Sequence, residues 1–265
     1  MNTCDLTPAK SQTCRSFISL SLVALVSTLV LTGCVEESEA FGEEAIDEEA
    51  IDEEEGFRSL STGMHGNQFN PKVKSGGVVN QGLVYNIWGN PGVFWYFCGQ
   101  SATSTAINFA RGNSLSTGSK VTQLTWFHDR LKAREWHYNN DNPNSAGSYE
   151  TRIDWLWDLM QDEKSGEFST EDHVTGSRDG SKSWMHSQLD NGAFVVALTE
   201  TNAGYGHFVA IYAIDYQPFQ NGGGTVYFGD PLTGTLETRG YTAFLDDMRD
   251  ASNFSQYNTF SVRKK

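Results

Sequence analysis

Three residues in this chain could together perform nucleophilic chemistry: Cys98, His207 and Asp230. Cys98 lies in FWYFCGQSATSTAINFA, between an aromatic run and a segment of small residues. Ala102, Ala106, Phe109 and Ala110 recur there at helical spacing, and Gly112 supplies a stop, so Cys98 falls at a helix start. Orphan amide N–H groups and the positive end of the helix dipole favour a thiolate at such a place. A thiolate nucleophile reachable from solvent needs a base to shuttle its proton. Of the six histidines, His207 alone opens an apolar run, Phe208 to Ile214, directly after Gly206, which puts it at the exposed end of a core strand. His65, His128, His137, His173 and His186 sit in polar or helical surroundings and read as solvated. The next strand, TVYFGDPLTG, ends at Asp230 before Pro231. If the two strands pair antiparallel, Asp230 can orient the imidazole of His207 and hold its tautomer. The plain alternatives are a buried structural cysteine, an edge histidine and a turn aspartate.

The elements that must position these groups can be read from periodicity. Val121–Trp136 and Tyr149–Lys164 have amphipathic helical spacing, and their tryptophans read as core. Residues 139–148, NNDNPNSAGS, form a polar loop. Ser181–Gly192 reads as a third short helix, ahead of a buried strand at Ala193–Thr199. Helices first and strands after imply an α+β domain with an antiparallel sheet. His128 and His137 have no cysteine partner and no ligand-like spacing, so no metal site is expected, and no cofactor motif is present.

Cysteine at a helix start, Gly-His opening an apolar strand, and a strand ending in Asp-Pro-x-x-Gly resemble the papain-like cysteine peptidases. The ordered set is most similar to the bacteriocin-leader (double-glycine) peptidase branch in its stand-alone form. The resemblance covers roughly Asn80 to Met248 and extends to Gly240-Tyr241-Thr242-Ala243-Phe244-Leu245, where that branch has a strand followed by a short helix. It implies a papain-like fold with Cys98 as nucleophile, His207 as general base and acid, and Asp230 as the orienting residue. It also implies a glutamine upstream of the cysteine as oxyanion donor. The usual position for that glutamine is Gly92, which cannot serve. Gln81, in VVNQGLVYN, is the expected donor, with Asn90 in reserve. The residue two after the cysteine, often proline in that branch, is Gln100.

The N-terminus sets the compartment. Lys10 and Arg15 precede Phe17–Thr32, an uncharged apolar run shorter than the roughly 20 residues of a spanning helix. Leu31-Thr32-Gly33-Cys34 follows it and resembles a bacterial lipobox. Residues 1–33 then form a lipoprotein signal peptide, and Cys34 is lipidated. Val35 after it is compatible with an outer-membrane or cell-surface destination. Residues 34–57 carry 12 acids and no Lys or Arg, with EEAID twice in succession, and read as a disordered tether. The body, 58–265, holds 20 acids and 17 bases, a net charge near −3, so the protein's charge of −14 belongs mostly to the tether. A body so nearly balanced gives no case for nucleic-acid binding. With Cys4 and Cys14 in the signal and Cys34 lipidated, Cys98 is left without a disulfide partner where free thiols tend to be oxidised.

The expectation is thus an exported, lipid-anchored, monomeric thiol hydrolase acting on a peptide or protein substrate. The membrane is contacted through the anchor. Two rivals stand beside it: a cell-wall peptidoglycan amidase, and a papain-like binding module with a silent triad.

Overall fold

The helix that carries Cys98, α1 (Cys98–Arg111), is buried at every residue from Cys98 to Ala110. Its side chains are mostly Gly, Ser, Ala and Thr, so neighbours can approach it from all sides. Thr103 and Thr105 donate their hydroxyls to the carbonyls of Gly99 and Ser101, each at 2.8 Å, which removes the cost of burying them. Gly112 closes the helix in the left-handed conformation, at φ 70°. The computed structural model describes residues 62–84, 97–134, 153–201, 206–250 and 256–265. The signal segment, Cys34, the acidic tether, Asn90, Gly92, Trp136 and the 139–148 loop lie outside them.

Two helices lean on α1. The first, α2 (Thr117–Ala133), buries Leu124, Phe127 and Leu131; the second, α3 (Ile153–Lys164), buries Ile153, Leu156, Leu159 and Met160. α2 begins four residues earlier than its apolar spacing suggests. Ser116 caps it, accepting the N–H of Ser119 at 3.3 Å, so a polar first turn becomes helical. Trp126, Trp155 and Trp157 pack partly buried against the same core.

Among the described residues seven strands form one sheet with antiparallel pairing throughout. They are β1 (Gly63–Gly66), β2 (Phe168–Thr175), β3 (Phe194–Glu200), β4 (Gly206–Tyr216), β5 (Gly224–Asp230), β6 (Thr235–Gly240) and β7 (Tyr257–Lys264). The order is β2-β7-β3-β4-β5-β6, and β1 pairs with the far end of β4. α4 (Arg178–Asp190) and α5 (Tyr241–Asp250) complete the fold. Alternate strand residues separate the core into two layers. Val196, Phe208 and Ala210 pack with α1 and α3, whereas Val195, Val209 and Ile211 pack with α4 and α5. Burial on both faces explains why β3 and β4 read as continuous apolar runs.

The chain is therefore α+β with an antiparallel sheet, but helices do not strictly precede strands. β1 comes before α1, β2 before α4, and α5 lies between β6 and β7. α4 starts at Arg178 rather than Ser181, because the Ser177 hydroxyl accepts the N–H of Gly180 at 3.0 Å. No described helix is long and apolar enough to cross a membrane.

Candidate active site

Each group of the candidate triad sits at the end of an element held from behind. Phe97, 2% exposed, packs with Val79 and Leu124 and fixes the start of α1. The Ser101 N–H closes the first turn on the Phe97 carbonyl at 2.9 Å. Cys98 follows as the first helical residue, 8% exposed, so only an edge of the thiol is open to solvent. It is the free cysteine among the described residues.

His207 is the second residue of β4 and pairs with Thr199 of β3. It stands at the strand's end as expected, yet it is 6% exposed rather than open, with Cys98 at the start of α1 acting on its ring. On the other side of β4, Ala210 pairs with Gly229. One step further puts Asp230 opposite Val209, on the same side of the ladder as His207. Gly229 makes the approach possible: a Cβ there would lie 2.9 Å from the Thr105 methyl and 3.1 Å from the Phe109 ring. β5 can therefore rest directly on α1.

The three groups meet. His207 Nε2 lies 2.7 Å from Asp230 Oδ1. The same oxygen accepts the Leu232 N–H at 2.7 Å, which fixes the carboxylate across the turn. The Cys98 thiol also acts on the His207 ring and favours its protonated form. Nε2 is engaged by Asp230, so Nδ1 is the nitrogen left to face the sulfur. Burial opposes a charge on His207, but Asp230 and Cys98 outweigh it and push its pKa up to about 9. Burial acts upward on Asp230, and the imidazole beside it more than reverses that, leaving the carboxyl below its ordinary range. The ring is cationic at neutral pH and flanked by a carboxylate and a sulfur. Such an arrangement can stabilise a thiolate, return a proton to a leaving amine and keep the ring in one orientation.

Gln81 belongs to the same neighbourhood. It is 1% exposed, and its side-chain Oε1 has no hydrogen-bond partner. Its backbone N–H donates to the Pro231 carbonyl at 2.9 Å, one residue past Asp230. Asn80 lies so close to Gly234 that a Cβ there would stand 2.7 Å from its Nδ2, and Gly234 has φ 75°. The turn after Asp230 thus braces both the acid and Gln81. Asn90 falls outside the described residues.

His65 and His186 correct the expectation of solvated side chains, while His137 lies outside the described residues. His65 and His186 are each 4% exposed and stack at 3.8 Å. His65 Nδ1 lies 2.9 Å from Asp190, and His186 Nε2 lies 3.1 Å from the Tyr241 hydroxyl. His173 stacks on Trp184. No local sequence signal announces the His65–Asp190 pair, whose members are 125 residues apart. Among the described residues no group of His, Cys, Asp or Glu could hold a metal ion. No protein-family model matches the chain, and comparison with curated proteins gives no match.

Proposed function

We propose that this protein is an exported, lipid-anchored thiol hydrolase of the papain-like kind, which cleaves peptide amide bonds through Cys98, His207 and Asp230. The observation that carries the proposal is a buried imidazole 2.7 Å from a carboxylate, with the Cys98 thiol acting on the same ring. A structural cysteine has no need of a histidine pushed up to about 9.

The chemistry follows from the atoms. The Cys98 sulfur attacks the carbonyl carbon, an S–C bond forms, and the carbonyl π electrons move onto oxygen. The Cys98 backbone N–H and the Gln81 side chain are the proposed donors to that oxyanion. The oxyanion collapses and breaks the C–N bond, and the departing amine takes the proton held on His207 Nδ1. The acyl group remains on sulfur as a thioester. Water then attacks, giving its proton to Nδ1, and the thioester breaks to release the acid and restore the sulfur–imidazolium pair. Throughout, Asp230 accepts the Nε2–H and keeps the ring from turning.

The test uses the full chain in detergent with a panel of peptides and peptidoglycan fragments. Intact-mass measurement should find a transient acyl adduct on Cys98, absent in Cys98→Ala, with products cut at an amide. Adducts from stem peptides alone would favour the cell-wall amidase. Absence of any adduct or product across the panel would sink the hydrolase and favour a binding module.

A further inference from the structure

The segment that carries Gln81 is held by a lysine that has no other visible purpose. Residues 77–81 run along α1 toward its N-terminus. Asn108 Nδ2 donates to the Gly77 carbonyl at 3.0 Å, and the Val79 N–H donates to Thr105 Oγ1 at 3.0 Å. Two residues of the segment thus match three of the helix. The segment heads toward the end of α1 that carries Cys98. Val79 and Phe97 share a small cluster, which supports this course. The far end is tied to the sheet by the Gln81 N–H on the Pro231 carbonyl.

Between these ties lies Lys120 of α2. Its Nζ donates to the Val78 carbonyl at 2.7 Å. Among the described residues no carboxylate pairs with it, and burial pushes its pKa down. A half-buried lysine against one carbonyl gives up part of its hydration for a single backbone bond. Surface lysines of a helix ordinarily keep their heads in water. Val78 is three residues from Gln81, and the Val78–Val79 peptide is gripped on one side by Lys120 and on the other by Thr105. That peptide is held from the helix side, as the Asn80–Gln81 peptide is held from the sheet side by Pro231.

We infer that Lys120, with Thr105 opposite, is a positioning residue that aims the Gln81 side chain at the oxyanion. This rests on the hydrolase reading above. It predicts a separation between two reactions of the same sulfur. Iodoacetamide alkylates Cys98 by displacing iodide and forms no oxyanion. An aldehyde forms a hemithioacetal: the S–C bond closes and the carbonyl oxygen moves into the site that Gln81 serves.

The experiment compares Lys120→Met, Lys120→Arg and Thr105→Val with wild type in the full chain, using acetyl-Gly-Gly-glycinal, whose lack of side chains fits any subsite. Lys120→Met should weaken aldehyde binding about tenfold while the alkylation rate stays within about twofold. Lys120→Arg should restore most of the loss, and Thr105→Val should act in the same direction as Lys120→Met. Hydrogen exchange of the peptide covering 77–84 should quicken about tenfold in Lys120→Met, with α1 unchanged. Unchanged aldehyde affinity, unchanged exchange at 77–84, or faster exchange over the whole body would each overturn the positioning role. A wild-type protein that alkylates at Cys98 yet forms no hemithioacetal would also overturn it. Failure of Cys98 to alkylate in the folded wild type is a different result, and it removes the hydrolase reading itself.

Discussion

His207 and His186 are buried almost equally, at 6% and 4% exposure, yet their chemistry is opposite. His207 faces Asp230 and Cys98, and its proton is held up to about pH 9. His186 faces the Tyr241 hydroxyl and the ring of His65, and its Nδ1 has no partner. Burial, reinforced by the positive potential of His65, drives its pKa down to about 3, with Asp190 only partly opposing. Burial alone makes a histidine neutral. A carboxylate within hydrogen-bond reach makes it a cation. Only the first of these two regions holds a thiol beside the cation, which is what separates the proposed reactive constellation from a packing one.

The largest expected effect removes the carboxylate from the reactive region. Asp230→Ala should lower amide turnover by about 10³–10⁴-fold, because the ring loses its orientation and the stabiliser of its charge. The matching change in the other region, Tyr241→Phe, should leave turnover within about twofold. It should cost about 1–3 kcal/mol in chemical denaturation, since it leaves a buried imidazole nitrogen unpartnered. Equal losses of turnover in the two variants would erase the distinction between the regions.

The two histidines should also bend stability with pH in opposite senses. The folded state binds the His207 proton more tightly than the unfolded chain, whose value is 6.5. That stabilisation is complete below pH 6.5 and is lost as pH rises through about 9, with a slope of up to about 1.4 kcal/mol per pH unit. For His186 the folded state binds the proton less tightly. Its contribution is complete above pH 6.5 and is lost as pH falls toward about 3. Unfolding free energy measured across pH should lose its alkaline slope in His207→Asn and part of its acid slope in His186→Asn. A slope that survives its own substitution would show that the assigned histidine is not its source. A smaller effect is expected at the turn that joins acid and oxyanion donor. Gly234→Ala, at φ 75° and against Asn80, should destabilise by about 1–3 kcal/mol.

The residues of the proposed triad can be picked out in the sequence because each stands at an end of an apolar run or element. Cys98 follows an aromatic run, His207 opens an apolar strand and Asp230 closes one, so sequence order alone suggested their convergence. β2 and β7 were not legible. FSTEDHVT and YNTFSVRK carry charges or polar groups between their apolar residues, and it is pairing, β2 with β7 and β7 with β3, that makes them strands. β1 and β6 are short, and β1 exists because β4 outruns β3 and leaves ladder positions at Ala213–Tyr216 to be filled. The burial of His65 and His186 was hidden for a related reason: their polar neighbours in sequence are not their neighbours in space. Lys120 gave no signal, since a lysine on an amphipathic helix reads as solvated until its carbonyl partner is seen.

The central claim is that Cys98, His207 and Asp230 form one reactive unit, and the alkylation rate of the folded full chain against pH tests it most directly. Wild type should label with iodoacetamide rapidly at about pH 6, and His207→Ala should label at least about tenfold more slowly there. Labelling of Cys98 only after unfolding, or the same pH profile with and without His207, would contradict the account.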